Sequence, residues 1–207
     1  MGLAPLLAVC CGYFMVILDV TIVNVAAPAI GRDLGASLTD LQWIVDGYTV
    51  AFAGLLLLGG ALGDRWGHRR VFCLGVVVFT VASLGCAVAP NAITLTALRL
   101  LEGCGAALLV PGSLALLQQV YRTPSARARA FGLWGAIAGV AATAGPLVGG
   151  VLTSTVGWRW VFAINLPVGV LCLVLTMATV GPSPRDPGRV IDPLGQAAVV
   201  VTVAAVI

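Results

Sequence analysis

Long apolar runs separated by short polar segments dominate the sequence of 207 residues. A helix needs about 20 apolar residues to cross the hydrocarbon core of a bilayer, and six of the runs reach that length. They cover residues 5–29, 41–63, 71–90, 92–120, 130–156 and 161–180. The pattern predicts an all-α membrane protein with a six-helix bundle at 1–180, a cytoplasmic linker at 181–192 and the truncated start of a seventh helix at 193–207.

The composition agrees with a membrane protein and excludes several functions. Hydrophobic residues make up 60% of the chain and charged residues 9%, with a mean hydropathy of +1.07, whereas soluble domains carry roughly 25% charged residues. A net charge of +3 without an aromatic-interleaved basic patch predicts no nucleic-acid partner. The single histidine, His68, and cysteines confined to apolar runs provide no metal site and no enzyme chemistry. We therefore expect neither an enzyme nor a bound cofactor.

Arginines occur mainly in alternate loops, and this bias predicts the orientation in the membrane. Lys and Arg accumulate in short cytoplasmic loops. The even loops contain Arg65, Arg69, Arg70, Arg122, Arg127, Arg129, Arg185 and Arg189. The odd loops contain only Arg32 and Arg159. We expect a multi-pass protein of the cell membrane with its N-terminus in the cytoplasm. Because Asp19 lies inside the first run, which has no basic leader, this run is interpreted as a retained helix and not as a signal peptide.

Two similar tetrapeptides suggest an internal repeat. GDRW at residues 63–66 ends the second predicted helix, and GWRW at residues 157–160 ends the fifth. Each therefore closes the second member of a group of three helices, on opposite sides of the membrane. Inverted groups of three helices are typical of transporters.

Four charged residues lie inside apolar runs, where an ionised side chain costs a few kcal/mol unless it faces protein or water. They are Asp19, Asp46, Arg99 and Glu102. The helical rise of 1.5 Å per residue places them roughly 8–16 Å deep, in one layer across three helices. Arg99 and Glu102 are three residues apart and can form an ion pair on one helical face. The pattern favours a proton-exchanging site, but a purely structural polar cluster, with an interfacial Asp46, remains an alternative.

The fifth run is rich in small residues. Gly135, Gly139, Gly145 and Gly149 occur at spacings of four, which let a neighbouring helix approach closely. Pro146 removes a backbone donor, and we expect it to kink this helix. No strand precedes these glycines, so they do not form a nucleotide-binding loop.

Five segments of the chain resemble sequences of the major facilitator superfamily. GALGDRWGHRR at residues 60–70 is similar to the loop between the second and third helices, and RLLEGCGAA at 99–107 to the helix-four motif. LDVTIVNVAAP at 18–28 and GPLVGG at 145–150 resemble motifs of drug:proton antiporters, and WRWVFAINLP at 158–167 resembles the segment that follows in the fourteen-helix group. The resemblance implies the six-helix N-terminal half of a major facilitator fold, with inverted 3+3 repeats and a second half of six to eight helices outside this chain.

The resemblance also assigns roles to residues. It implies proton-coupled export of small hydrophobic or cationic compounds such as drugs or antibiotics, driven by the proton gradient. Proton coupling and substrate binding would involve Asp19, Asn24, Asp46, Arg99 and Glu102. A cytoplasmic latch would use Gly60, Asp64, Arg65, Gly67, Arg69 and Arg70, with Asp64 at the start of the third helix, where the helix dipole favours a negative charge. Packing of the fifth helix and antiport would depend on Gly139, Gly145, Pro146, Gly149 and Gly150.

Departures from the motifs leave alternatives open. Glu102 occupies a position where the family usually has glutamine, and Ala141 one where it usually has glycine. The segment at 182–185, PSPR, faintly resembles a loop of sugar importers. An importer of the same fold, or a non-transporting fragment or half-subunit, therefore remains possible.

Overall fold

A computed structural model of the chain describes residues 2–188 and 192–206. These residues form helices α1 (Leu3–Leu34), α2 (Leu38–Trp66), α3 (His68–Ala87), α4 (Ala92–Val120), α5 (Pro124–Thr155), α6 (Trp160–Ala163), α7 (Asn165–Thr179) and α8 (Pro193–Val206). Helices α6 and α7 form one continuous apolar segment, so six segments are long and apolar enough to cross a membrane. The predicted all-α fold with six such helices and part of another is confirmed. Residues 189–191 of the predicted linker, including Arg189, lie outside the described residues.

Polar caps extend the helices beyond the predicted apolar runs. Helix α2 begins at Leu38, three residues before the predicted start, because Ser37 and Asp40 form a reciprocal capping box. Helix α5 begins at Pro124, six residues early, since Thr123 accepts a hydrogen bond from the Ala126 amide and Pro124 suits the first turn. Hydrophobicity marks the part of a helix inside the membrane, whereas the caps fix its ends.

The connection between α2 and α3 is a single residue. Gly67 has a φ of 94°, a backbone region that side chains other than that of glycine rarely adopt. Asp64 and Arg65 therefore lie in the last turn of α2, and Arg69 and Arg70 lie in the first turn of α3. The prediction of a loop over these positions, with Asp64 at the start of the third helix, is wrong: two helix ends meet at Gly67.

The helix packing follows the predicted repeat. Helix α1 packs on α5, as α4 packs on α2; and α3 packs on α4, as the α6–α7 segment packs on α1. If α1, α2 and α3 are exchanged with α4, α5 and the α6–α7 segment, in that order, each of these contacts becomes the other contact of its pair. This pairing is what two inverted three-helix repeats produce.

Glycines on α4 allow the closest helix contacts. A Cβ atom on Gly105 would lie 2.6 Å from the Phe79 backbone nitrogen on α3. A Cβ on Gly103 would collide with the Tyr48 carbonyl oxygen on α2. Small residues of this kind let backbones approach in membranes, where the hydrophobic effect does not drive helices together. Both glycines are therefore needed to seat α4 between its two neighbours.

We expect Gly105→Ala to destabilise the fold by about 1–3 kcal/mol, the usual cost of overpacking a well-packed core. Gly135→Ala on α5 is the matched control, because an added Cβ meets no atom within 4 Å there and alanine is the better helix former. Unfolding in mixed micelles of increasing denaturing-detergent fraction measures both. Equal stability of the two variants would contradict the close α3–α4 contact.

Candidate functional site

Three of the four charged residues predicted inside the helices meet at one buried position. Arg99 Nη1 on α4 lies 2.5 Å from Asp19 Oδ2 on α1 and 2.7 Å from Glu102 Oε2 on its own helix. The exposed fractions of Asp19, Arg99 and Glu102 are 0%, 1% and 0%. We call these residues the ion cluster. The predicted pair of Arg99 and Glu102 is present, and Asp19, which the sequence grouped with them, contacts Arg99 from α1.

Aromatic side chains and backbone enclose the guanidinium of the ion cluster. Its carbon lies 4.3 Å from the centre of the Tyr48 ring and 5.9 Å from that of Phe162, within range of cation–π attraction. Arg99 Nε donates to the Ile44 carbonyl oxygen at 3.2 Å. Tyr48 belongs to one buried apolar cluster of the bundle, and Ile44 and Phe162 belong to another. Arg99 thus links the two halves of the core.

A chain of hydrogen bonds from uncharged side chains connects the ion cluster to α3 and α7. Asn165 Nδ2 donates to Asp19 Oδ1 at 3.3 Å and to Ser83 Oγ at 2.9 Å. Ser83 Oγ donates in turn to the Phe162 carbonyl oxygen at 3.0 Å. Sequence reasoning did not assign Ser83 or Asn165 to the site, although buried polar residues in apolar runs are the signal that could have found them.

The charges in the ion cluster do not balance when every group is ionised. Two carboxylates face one guanidinium, which leaves a net charge of −1. Glu102 Oε1 is buried without a hydrogen-bond donor among the described residues, and the Ser83 hydroxyl donates to the Phe162 carbonyl oxygen. An uncompensated buried charge is costly in a low-dielectric interior, so this oxygen is a suitable place for one proton.

Asp46 and Asn24 lie apart from the ion cluster. Asp46 is half-buried and lines a cavity of about 200 Å³ between α2 and α8, with Gln42, Trp43 and Ala204. Asn24 is exposed on α1 and donates to the Val20 carbonyl oxygen at 3.0 Å. The structure therefore does not bring Asp46 into contact with the other three charges: the rise along each helix gave similar depths, but the rotation about the α2 axis points Asp46 towards α8.

The arginine-rich end of α2 and α3 contacts the segment that follows α7. Asp64 lies 3.2 Å from His68 Nε2, and its carbonyl oxygen accepts from the Asp186 amide at 2.9 Å. The Arg69 amide donates to Ser183 Oγ at 3.0 Å. Gly60 faces open space. Of the residues predicted to form a latch, Asp64 and Arg69 are thus hydrogen-bonded to the segment 183–186.

The small residues of α5 fall on two faces. Gly145 and Gly149 are buried against Thr21 and Ile22 of α1, where an added Cβ would collide. Gly139 and Gly150 face open space, so the expected packing of these two is not present among the described residues. Pro146 is exposed, and α5 continues through it as one helix.

The chain is similar to known transporters and resistance proteins. Residues 9–204 match the family described as Major Facilitator Superfamily. It is 44% identical over 189 residues to the methylenomycin A resistance protein of Bacillus subtilis (strain 168), covering 91% of this chain and 41% of that protein. It is 45% identical over 169 residues to the tetracenomycin C resistance and export protein of Streptomyces glaucescens, covering 82% and 31%.

A solved structure shares the fold. The crystal structure of a peptide transporter, POT, in complex with sulfate superposes with a TM-score of 0.78 at 20% identity, over 98% of this chain and 44% of that one. By sequence coverage, the chain spans about a third to two fifths of the length of the two curated relatives named above. With the family matched across nearly all of its residues, this chain belongs to the Major Facilitator Superfamily.

Proposed function

We propose that the chain is the N-terminal half of a proton-coupled exporter of small hydrophobic or cationic compounds such as drugs or antibiotics. The ion cluster carries this proposal, because it is a buried, titratable group of residues within a family of transporters. The relatives named for antibiotic resistance and export support the substrate class. Transport would proceed by alternating access, with this half rocking against a second one.

Proton coupling follows from the charge count in the ion cluster. One proton bound by Asp19 or Glu102 makes the cluster neutral, and loss of that proton leaves a net charge of −1. Asp19 on α1 and Arg99 on α4 are joined by the 2.5 Å contact, so protonating Asp19 would weaken the link between these two helices. Protonation would thereby change the relative stability of the two transport states.

The exposed face of α5 supports a contact with the second half. A Cβ added to Gly135, Gly139 or Gly150 would meet no neighbouring described atom within 4 Å. Leu147 and Val151 beside them are exposed. Small residues on a helix face that no other helix covers let a further helix approach closely. Gly145, Pro146 and Gly149 would hold α5 on α1 while this outer face meets the partner helices.

Two further roles are part of the proposal. Asp46, in its cavity between α2 and α8, would attract cationic substrates, with Asn24 exposed on α1 as a polar contact. Gly60, Asp64, Arg65, Gly67, Arg69 and Arg70 would form the cytoplasmic latch that binds the second half in one state and releases it in the other. The arginine bias supports a cytoplasmic position of this end, and of the N-terminus, in the cell membrane.

Export is tested with the complete reading frame that contains this chain, expressed in a host lacking its own efflux pumps. In energised inverted vesicles, adding a cationic dye or a hydrophobic antibiotic should dissipate the pH gradient, and an uncoupler should abolish the response. Uptake by whole cells without a response in inverted vesicles would identify an importer. Absence of movement in either direction would identify a non-transporting protein.

A further inference from the structure

A small basic pocket lies where α2, α3 and the segment after α7 meet. Its cavity of about 190 Å³ is lined by Trp66, Gly67, Arg69, Arg70, Ser183 and Arg185, together with Pro182. We call it the arginine pocket. No ion pair joins Arg69, Arg70 or Arg185 to a carboxylate among the described residues. Three guanidinium groups without a carboxylate partner favour an anion, and guanidinium forks match the oxygens of a phosphate.

The arginine pocket lies at the head of an apolar stripe on α3. Arg70 is followed at helical spacing by Leu74, Val77, Val81 and Leu84, and these four side chains are 42–62% exposed. A stripe of this kind on a membrane helix faces acyl chains. A phosphate held at Arg70 would therefore have hydrocarbon directly below it.

Helix α7 provides a second apolar wall beside the pocket. Val170, Val174 and Met177 on α7 are 51%, 59% and 65% exposed. Arg69 Nη2 donates to the Met177 carbonyl oxygen at 2.8 Å, which ties the end of α7 to the start of α3. The exposed faces of the two helices thus converge below the pocket. Trp66, 48% exposed, stands at the same level, where tryptophan is typical of the membrane interface.

We propose that the arginine pocket binds the phosphate of an anionic glycerophospholipid, whose acyl chains lie along the exposed faces of α3 and α7. Basic pockets between membrane helices bind such headgroups on the cytoplasmic side. A free phosphate ion would use the guanidinium groups but not the apolar stripe. The position of the stripe under Arg70 is why the lipid is the favoured occupant. The site does not depend on which substrate the protein carries.

The first test measures lipid binding to the purified 207-residue chain by native mass spectrometry in a neutral detergent. The double variant Arg70→Gln/Arg185→Gln should bind phosphatidylglycerol about 25-fold more weakly, since each arginine near an anionic surface contributes roughly fivefold. Neither side chain makes a hydrogen bond to another described residue, so the fold should persist, which circular dichroism checks. The control Arg65→Gln/Arg122→Gln removes two charges at the same end, outside the pocket, and should change binding threefold or less. Equal weakening in both variants would overturn a specific site.

The ligand itself is tested against two alternatives. Phosphatidylcholine, which has a phosphate but no net charge, should bind at least tenfold more weakly than phosphatidylglycerol. Inorganic phosphate in large excess should fail to displace phosphatidylglycerol, because it cannot occupy the stripe. Displacement by inorganic phosphate would show an anion site without a lipid and overturn the proposal.

A measurement without charge variants uses tryptophan fluorescence in bilayers. Brominated phosphatidylglycerol should quench the chain more than brominated phosphatidylcholine at the same mole fraction. This difference should disappear in Trp66→Phe and remain in Trp160→Phe, since Trp160 is similarly exposed at the opposite end of the bundle. Equal quenching by the two lipids in the unmodified chain would contradict the proposed site.

Discussion

Replacing Arg99 with glutamine is expected to destabilise the folded chain by about 3–5 kcal/mol, the usual cost of breaking a buried ion pair. The variant leaves Asp19 and Glu102 buried without a positive charge, in a site that excludes water. It also removes the guanidinium between Tyr48 and Phe162. Denaturing-detergent titration of the chain in mixed micelles, followed by circular dichroism, measures the loss.

A neutral triple variant separates the cost of unpaired buried charges from the cost of the lost guanidinium contacts. Asp19→Asn/Arg99→Gln/Glu102→Gln contains no buried charge and should recover most of the stability, because an ion pair replaced as a whole costs far less than one that is broken. If the triple variant were as unstable as Arg99→Gln, the loss would come from the aromatic contacts of the guanidinium and not from unpaired carboxylates.

A second ion pair offers a matched comparison for the effect of burial. Arg159 Nη1 lies 2.6 Å from Asp33 Oδ2, with the two side chains 44% and 48% exposed. Exposed pairs contribute about 0–1 kcal/mol, so Arg159→Gln should cost no more than that. A loss comparable with that of Arg99→Gln would mean that burial does not determine the importance of these pairs.

The sequence predicts the helices better than their ends, for a physical reason. The hydrocarbon thickness sets a minimum apolar length that each run meets, so the number and order of the membrane helices follow from hydrophobicity alone. The ends depend on caps and turns, such as the Ser37 capping box and the positive φ of Gly67. These polar features lie outside the apolar runs, so α2, α3 and α5 begin three to six residues earlier than predicted.

The candidate site is predictable only as far as charge identifies it. Asp19, Arg99 and Glu102 stand out because charges are rare in apolar runs. Tyr48 and Phe162 do not stand out, because aromatic residues are common in such runs and only the fold brings them to Arg99. The family match over residues 9–204 confirms the resemblance to the Major Facilitator Superfamily that the sequence motifs indicated.

Rotation about the helix axis explains the remaining differences. Depth along a helix can be calculated from the rise, but the direction of a side chain depends on how the helix is turned against its neighbours. Asp46 faces the cavity beside α8 and not the ion cluster. The glycines of α5 likewise belong to two faces, one against α1 and one open, which a spacing of four does not distinguish. Position around the axis requires the tertiary structure.

Asp19→Asn is expected to reduce gradient-driven export by the complete protein at least about 100-fold. With asparagine at this position, Glu102 and Arg99 form a neutral pair 2.7 Å apart on one helix. The ion pair that joins α1 to α4 is then absent whether or not a proton is bound, and no titratable group remains on α1 at the site. Substrate-induced loss of the pH gradient in inverted vesicles measures the effect, and substrate binding to the de-energised protein, which should change little, shows that the variant is folded.

Glu102→Gln is the matched comparison, because it also removes one carboxylate from the same buried cluster. This change keeps the Asp19–Arg99 contact and the Asn165 hydrogen bond to Asp19, and glutamine is the residue that the family resemblance implies here. Export should therefore stay within about fivefold of the unmodified protein. If both variants lost export equally, the proton site would be the pair of carboxylates acting together. If Asp19→Asn retained export while Glu102→Gln abolished it, Glu102 would be the coupling residue, and the link between α1 and α4 through Asp19 would be structural.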